Sequence, residues 1–72
     1  MIFKYVIIVT VYPLLKMNPD IVYTYSYYDL DQAKDYYDYQ SLRSDLKYIQ
    51  LIDPSGKVLY ESDGPYLRVE KQ

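Results

Sequence analysis

Residues 21–40 read "IVYTYSYYDLDQAKDYYDYQ". Within this stretch the spacing of large side chains changes from two residues to between three and four, and that change decides the fold. Ile21, Tyr23, Tyr25 and Tyr27 fall on one side and Val22, Thr24, Ser26 and Tyr28 on the other, which is the period of a strand rich in β-branched and aromatic residues. Asp29 followed by Gln32 has the spacing of a capping box, with a carboxylate able to accept an orphan amide of a first helical turn. A helix is therefore expected to start there. Its inward stripe is Leu30, Ala33 and Tyr37, with Tyr36 and Gln40 beside it, while Asp31, Asp35 and Asp38 follow one another at i, i+4 and i+7 on another face. The helix is predicted to end between Ser41 and Asp45.

Upstream, "FKYVIIVTVY" (3–12) is dominated by β-branched and aromatic residues and predicts a strand. Phe3, Tyr5, Ile7, Val9 and Val11 alternate with Lys4, Val6, Ile8, Thr10 and Tyr12. Both faces are apolar in the middle, as in a central strand, and the strand of 21–28 should lie antiparallel to it. Between them "PLLKMNPD" holds two prolines, which cannot donate to a ladder, so a loop is expected with Leu14, Leu15 and Met17 partly exposed or folded over an edge. Downstream, "LKYIQLID" and "VLYES" flank "PSGK", a hairpin in which Gly56 takes positive φ. After the turn "DGP", residues 64–72 read as a short edge strand or a mobile tail. The whole is an α+β single domain over 1–72: an antiparallel β-sheet with one helix packed on one face, in the order β-β-α-β-β.

Composition narrows the chemistry. A chain of 72 residues buries only about 60% of the surface its unfolded form exposes, so it has no spare core. There is no cysteine and no histidine, which removes disulfide staples, thiolate metal sites, the usual zinc ligand and the usual near-neutral acid and base. A reducing, cytoplasmic setting fits best. The opening "MIFKYVIIVTVYPLLKMNP" imitates a signal peptide poorly: its apolar run is short of the roughly 20 residues of a membrane helix, Pro13 interrupts it, and no small-residue cleavage pattern follows.

The catalytic inventory is thin. Serines 26, 41, 44, 55 and 62 have no histidine to activate them. The carboxylates of "DLD" (29–31) lack the glycine and terminal glutamate of a calcium loop and are better explained as a cap and a first-turn acid. "DPSG" lacks the glycines and the lysine-serine pair of a phosphate loop. No enzyme, cofactor or metal is expected on these grounds.

The net charge of −2 conceals an uneven distribution. Residues 20–45 carry Asp20, Asp29, Asp31, Asp35, Asp38 and Asp45 against Lys34 and Arg43, and no basic stripe of the kind nucleic-acid binding requires is present. Tyrosine is concentrated in the same region. Tyr23, Tyr25 and Tyr27 are expected beneath the helix, whereas Tyr36, Tyr37 and Tyr39 cannot all face inward at about 100° per residue. At least one should be exposed beside the carboxylates. The residues assigned to partner binding are Asp31, Asp35, Asp38, Tyr36, Tyr39 and Tyr28, because rigid aromatic side chains next to charges are what protein-binding surfaces use.

A chain without histidine or cysteine, in this element order and with a tyrosine- and aspartate-rich middle, resembles the small accessory proteins of phages and other mobile elements, among them anti-CRISPR proteins and other inhibitors of host enzymes. The resemblance covers the whole chain in style and rests on no family-specific motif, so no residue role is carried over. It implies a non-enzymatic inhibitor in the host cytoplasm that occupies a basic surface of a nucleic-acid-handling or defence protein. A homodimeric self-assembly module, using the apolar strands and "PLLKMNP", is the alternative from another class. A single-strand nucleic-acid binder comes third, disfavoured by the carboxylates.

Overall fold

The change of period after Tyr27 is realised in the backbone. The computed structural model describes residues 4–64, in which β1 (Tyr5–Val11), β2 (Ile21–Tyr27), α1 (Leu30–Gln40), β3 (Leu46–Ile52) and β4 (Val58–Asp63) follow in that order. The strands form one antiparallel sheet in the spatial order β2-β1-β3-β4. The fold is thus α+β, with one helix on one face of a four-stranded sheet.

β1 is central, as its two apolar faces require. It pairs with β2 through Ile7 opposite Tyr25 and Val9 opposite Tyr23, and with β3 through Ile7 opposite Leu51 and Val9 opposite Ile49. Because β2 and β3 both run against β1, they are parallel to each other, and two parallel strands cannot be joined by a tight turn. The connection must cross over β1. That crossing is α1, which packs on β1, β3 and β2.

The helix begins as its cap residues demand. Asp29 is extended at φ −109° and its Oδ1 accepts from the Asp31 N–H at 3.1 Å. That bond goes to the second helical residue, and among the described residues none joins Asp29 and Gln32, so Asp29 is a simple N-cap and the expected capping box does not form. Ser41 closes the other end, its N–H reaching Tyr37 O at 2.9 Å and its hydroxyl donating to Asp38 O at 2.7 Å.

Between α1 and the sheet Ala33 and Tyr37 of the helix meet Ile7, Val9, Val11, Leu46, Ile49 and Leu51, all buried, with Tyr5, Tyr25, Tyr27 and Tyr36 packed around them. Each aliphatic side chain buried here contributes roughly 1.5–3 kcal/mol relative to exposure. Leu30, expected on the inward stripe and first residue of the helix, remains partly exposed.

Two turns close the structure. In the β3-β4 hairpin, Asp53 Oδ1 accepts from the Ser55 N–H, the Ser55 hydroxyl and the Lys57 N–H at 2.7–2.9 Å, and Gly56 takes φ +96° as expected. At the far end of β4, Gly64 donates to Lys47 O at 3.0 Å, and a Cβ there would stand 1.7 Å from Leu46 O. Only glycine fits. The expectation for residues 64–72 lies, beyond Gly64, outside the described residues.

Candidate protein-binding surface

Helical geometry sorts the residues of α1 into three faces. Ala33, Tyr37 and Gln40 are buried, and Asp31, Asp35 and Asp38 stand about 180° away, within a band of about 60°, at 100° per residue. All three carboxylates are exposed. They form the outermost ridge of the molecule's helical layer, advancing about 10 Å along the axis at 1.5 Å per residue. Lys34 Nζ meets Asp38 Oδ1 at 2.8 Å, one turn away, and this carboxylate holds the Lys34 ammonium above its ordinary pKa. Among the described residues no cation pairs with Asp31 or Asp35.

The tyrosines divide between core and surface. Tyr39 is 67% and Tyr28 70% exposed, as a role in partner binding requires. Tyr28 lies just before the helix and Tyr39 in its last turn, so they mark opposite ends of the ridge rather than one cluster. Tyr36 is placed differently from these two. Its ring lies 4.8 Å from that of Tyr25 and 5.6 Å from that of Tyr27, and its hydroxyl accepts from Gln40 Nε2 at 2.8 Å. It is partly buried against the core, so it offers a partner less of its ring than Tyr28 or Tyr39. The cause is the helical phase: Tyr36 follows Ala33 by about 300°, which turns it toward β2.

A network that sequence reasoning missed begins at that hydroxyl. Gln40, held by Tyr36, accepts from Arg43 Nη1 at 3.3 Å, and Arg43 grips Asp45 through Nε–Oδ1 at 2.8 Å and Nη2–Oδ2 at 3.0 Å. The guanidinium also lies 5.3 Å from the centre of the Tyr23 ring, a cation–π distance. The fork of hydrogen bonds from Arg43 holds the Asp45 carboxyl below its ordinary value. Gln40 and Arg43 at i, i+3, with Asp45 two further on, carried the only available signal. Spacing alone did not reveal that the loop folds back on β2.

Beside this network, Tyr39, Gln40, Leu42 and Arg43 line an open depression of about 290 Å³. Its apolar wall is Leu42, itself 81% exposed. On the opposite flank of α1, Tyr37 donates to Ser62 Oγ at 3.3 Å, and Lys34 Nζ lies 4.8 Å from the centre of the Tyr60 ring. The helix is therefore anchored on its β2 side by rings and on its β4 side by a hydroxyl and an ammonium.

The loop between β1 and β2 is exposed rather than folded over an edge. Leu14 is fully and Met17 88% exposed, and a turn with the Asn18 N–H on Leu15 O at 3.0 Å shapes the tip. Among the described residues no group of three or more acidic side chains converges as a cation site, and no helix is long and apolar enough to cross a membrane. No protein-family model, no curated protein and no solved structure matches the chain. The surface must be read from its own chemistry.

Proposed function

We propose that this protein is a small, non-enzymatic inhibitor that binds a basic surface of a host nucleic-acid-handling or defence protein, in the manner of phage accessory proteins. The observation that supports the reading is the exposed ridge of Asp31, Asp35 and Asp38 on the helix face opposite the core. Carboxylates about 4.5–6 Å apart along a helix approximate the charge spacing of a nucleic-acid strand, so the ridge competes for a groove built for phosphates. Three exposed charges are screened by salt and supply steering more than affinity. Tyr28 at one end and Tyr39 at the other add rigid area that becomes buried on docking, and Tyr36 contributes by fixing Tyr39 from behind, with ring centres 5.8 Å apart.

The test is a parallel capture from bacterial lysate with the wild type and the Asp31→Lys, Asp35→Lys, Asp38→Lys triple variant, at low and high salt. The expected result is a basic protein retained by the wild type at low salt, released at high salt, and absent from the variant. Circular dichroism establishes that the variant is folded. The same protein captured equally by both would remove the ridge from the mechanism, and retention of nucleic acid alone would favour the single-strand binder.

A further inference from the structure

The two outer strands of the sheet differ in how they guard their free edges. β4 carries Glu61 and Asp63, follows Lys57, and is irregular where Ile52 meets Val58, and each of these features discourages pairing with another strand. β2, "IVYTYSY", has no charge, proline, glycine or bulge over its seven residues, and its register against β1 is unbroken. One side of β2 is paired with β1, and no described strand lies on the other. Alternate N–H and C=O groups of this uncharged, unbulged strand thus face away from β1.

We infer that β2 pairs antiparallel with β2 of a second copy of this chain, about a two-fold axis at Thr24. The strand is self-complementary in that register. Thr24 meets Thr24 of the other copy, Val22 meets Ser26, Tyr23 meets Tyr25, and Ile21 meets Tyr27, while the flanking Asp20 falls opposite Tyr28, so no like charges are brought together. Centring on Thr24 engages all seven residues, whereas centring on Tyr23 or Tyr25 engages five. A two-fold axis perpendicular to the sheet keeps both helices on the same face. The Tyr23 and Tyr25 rings, already stacked with centres 6.4 Å apart within one copy, then meet the same pair from the other.

Side chains above the edge favour the same occupant. Tyr39 leans toward β2 through Tyr36, which packs on Tyr25 and Tyr27. The acidic ridge points away from the sheet, and the cations near β2 are already engaged: Arg43, over the Tyr23 ring, is paired with Asp45, Lys47 with Asp20 at one end of the strand, and Lys4 lies over the Tyr28 ring at the other. A second copy therefore meets aromatic rings and unpaired backbone rather than repulsion. The result is an eight-stranded sheet in the order β4-β3-β1-β2-β2-β1-β3-β4. The acidic ridges point away from this seam and remain accessible, whereas Tyr28 and Tyr39 border it, so the dimer leaves the carboxylates free but shares these two rings with the surface of the proposed inhibition.

The absence of cysteine from the sequence makes the register testable with single-cysteine variants at exposed positions of β2. Sedimentation velocity of the wild type across a dilution series is expected to show a reversible dimer at concentrations up to about 100 µM. Thr24→Cys is expected to give a disulfide-linked dimer on mild oxidation. In Ser26→Cys the two thiols would lie about 14 Å apart, from strand rise and spacing, and that variant is expected to stay monomeric. Thr24→Lys sets two ammonium groups opposite each other and should weaken the dimer about tenfold. A wild type that sediments as a monomer throughout would overturn the proposal. So would equal cross-linking of the two cysteine variants, or a dimer in which Thr24→Cys does not cross-link.

Discussion

The two faces of the sheet use similar residue types and meet different fates. Toward α1, Ile7, Val9, Ile49 and Leu51 are wholly buried; on the other face Val6, Ile8 and Ile52 are only half-buried. One helix can cover one face, and among the described residues no second element lies over the other. The open face is tempered instead by polar neighbours. Thr10, Thr24, Ser26, Gln50 and Glu61 stand among its aliphatics, with the Tyr48 hydroxyl hydrogen-bonded to Glu61. Stability therefore resides on the covered side, and the open side contributes mainly through its ladder of backbone bonds.

The sharpest way to break this comparison is to shorten matched side chains on the two faces. Leu51→Ala, beneath the helix, should cost about 3 kcal/mol in urea unfolding, within the range for buried leucine truncation. Ile8→Ala, on the central strand but facing outward, should cost about 1 kcal/mol, because its methyl groups are already partly hydrated. Equal losses would mean that the open face is covered in solution.

A smaller effect is expected from Tyr37→Phe, which keeps the buried ring and removes only its hydrogen bond to Ser62. The cost should be about 1 kcal/mol by thermal or urea unfolding. Tyr39→Phe, exposed on the same helix, should leave stability unchanged. This pair tells a core tyrosine from a surface one on residues only two apart.

The smallest effect is on the acid limb of stability. Arg43 holds the folded-state pKa of Asp45 below its ordinary value, so the contribution is present above the unfolded pKa near 4 and is lost as pH falls through the folded value. Asp53 is depressed as well, chiefly by the Ser55 hydroxyl and also by the Lys57 N–H. Asp45→Asn should flatten part of the decline in unfolding free energy below about pH 4, leaving the share that Asp53 supplies. An acid limb unchanged by Asp45→Asn would mean that the Arg43 fork does not persist in solution.

Local chemistry was legible where one residue type has one physical use. Alternation over 21–27, the Asp29 cap, the Asp53 and Gly56 turn and the two apolar faces of β1 each marked an element, and the observed strands lie within one or two residues of the predicted spans. The helix ends at Gln40, just before the expected window of 41–45, because the Ser41 hydroxyl satisfies the Asp38 carbonyl and the chain turns toward β3. In the candidate site, the acidic ridge and the exposure of Tyr28 and Tyr39 could be read from spacing. Spacing set Tyr36 beside the inward stripe, but that it would pack on Tyr25 and Tyr27 could not be read, since that depends on which side of the helix β2 occupies.

The sequence by itself thus determined the elements, their order, the cap and turn chemistry and the placement of three carboxylates on one helical stripe, all consequences of interactions within a few residues along the chain. Only the tertiary structure decided which strands flank the central β1, that Arg43 folds back over Tyr23, and that uncharged β2 is an edge. Those are contacts between residues distant in sequence, and the pattern of a strand records which of its faces is apolar without recording which strand lies beside it.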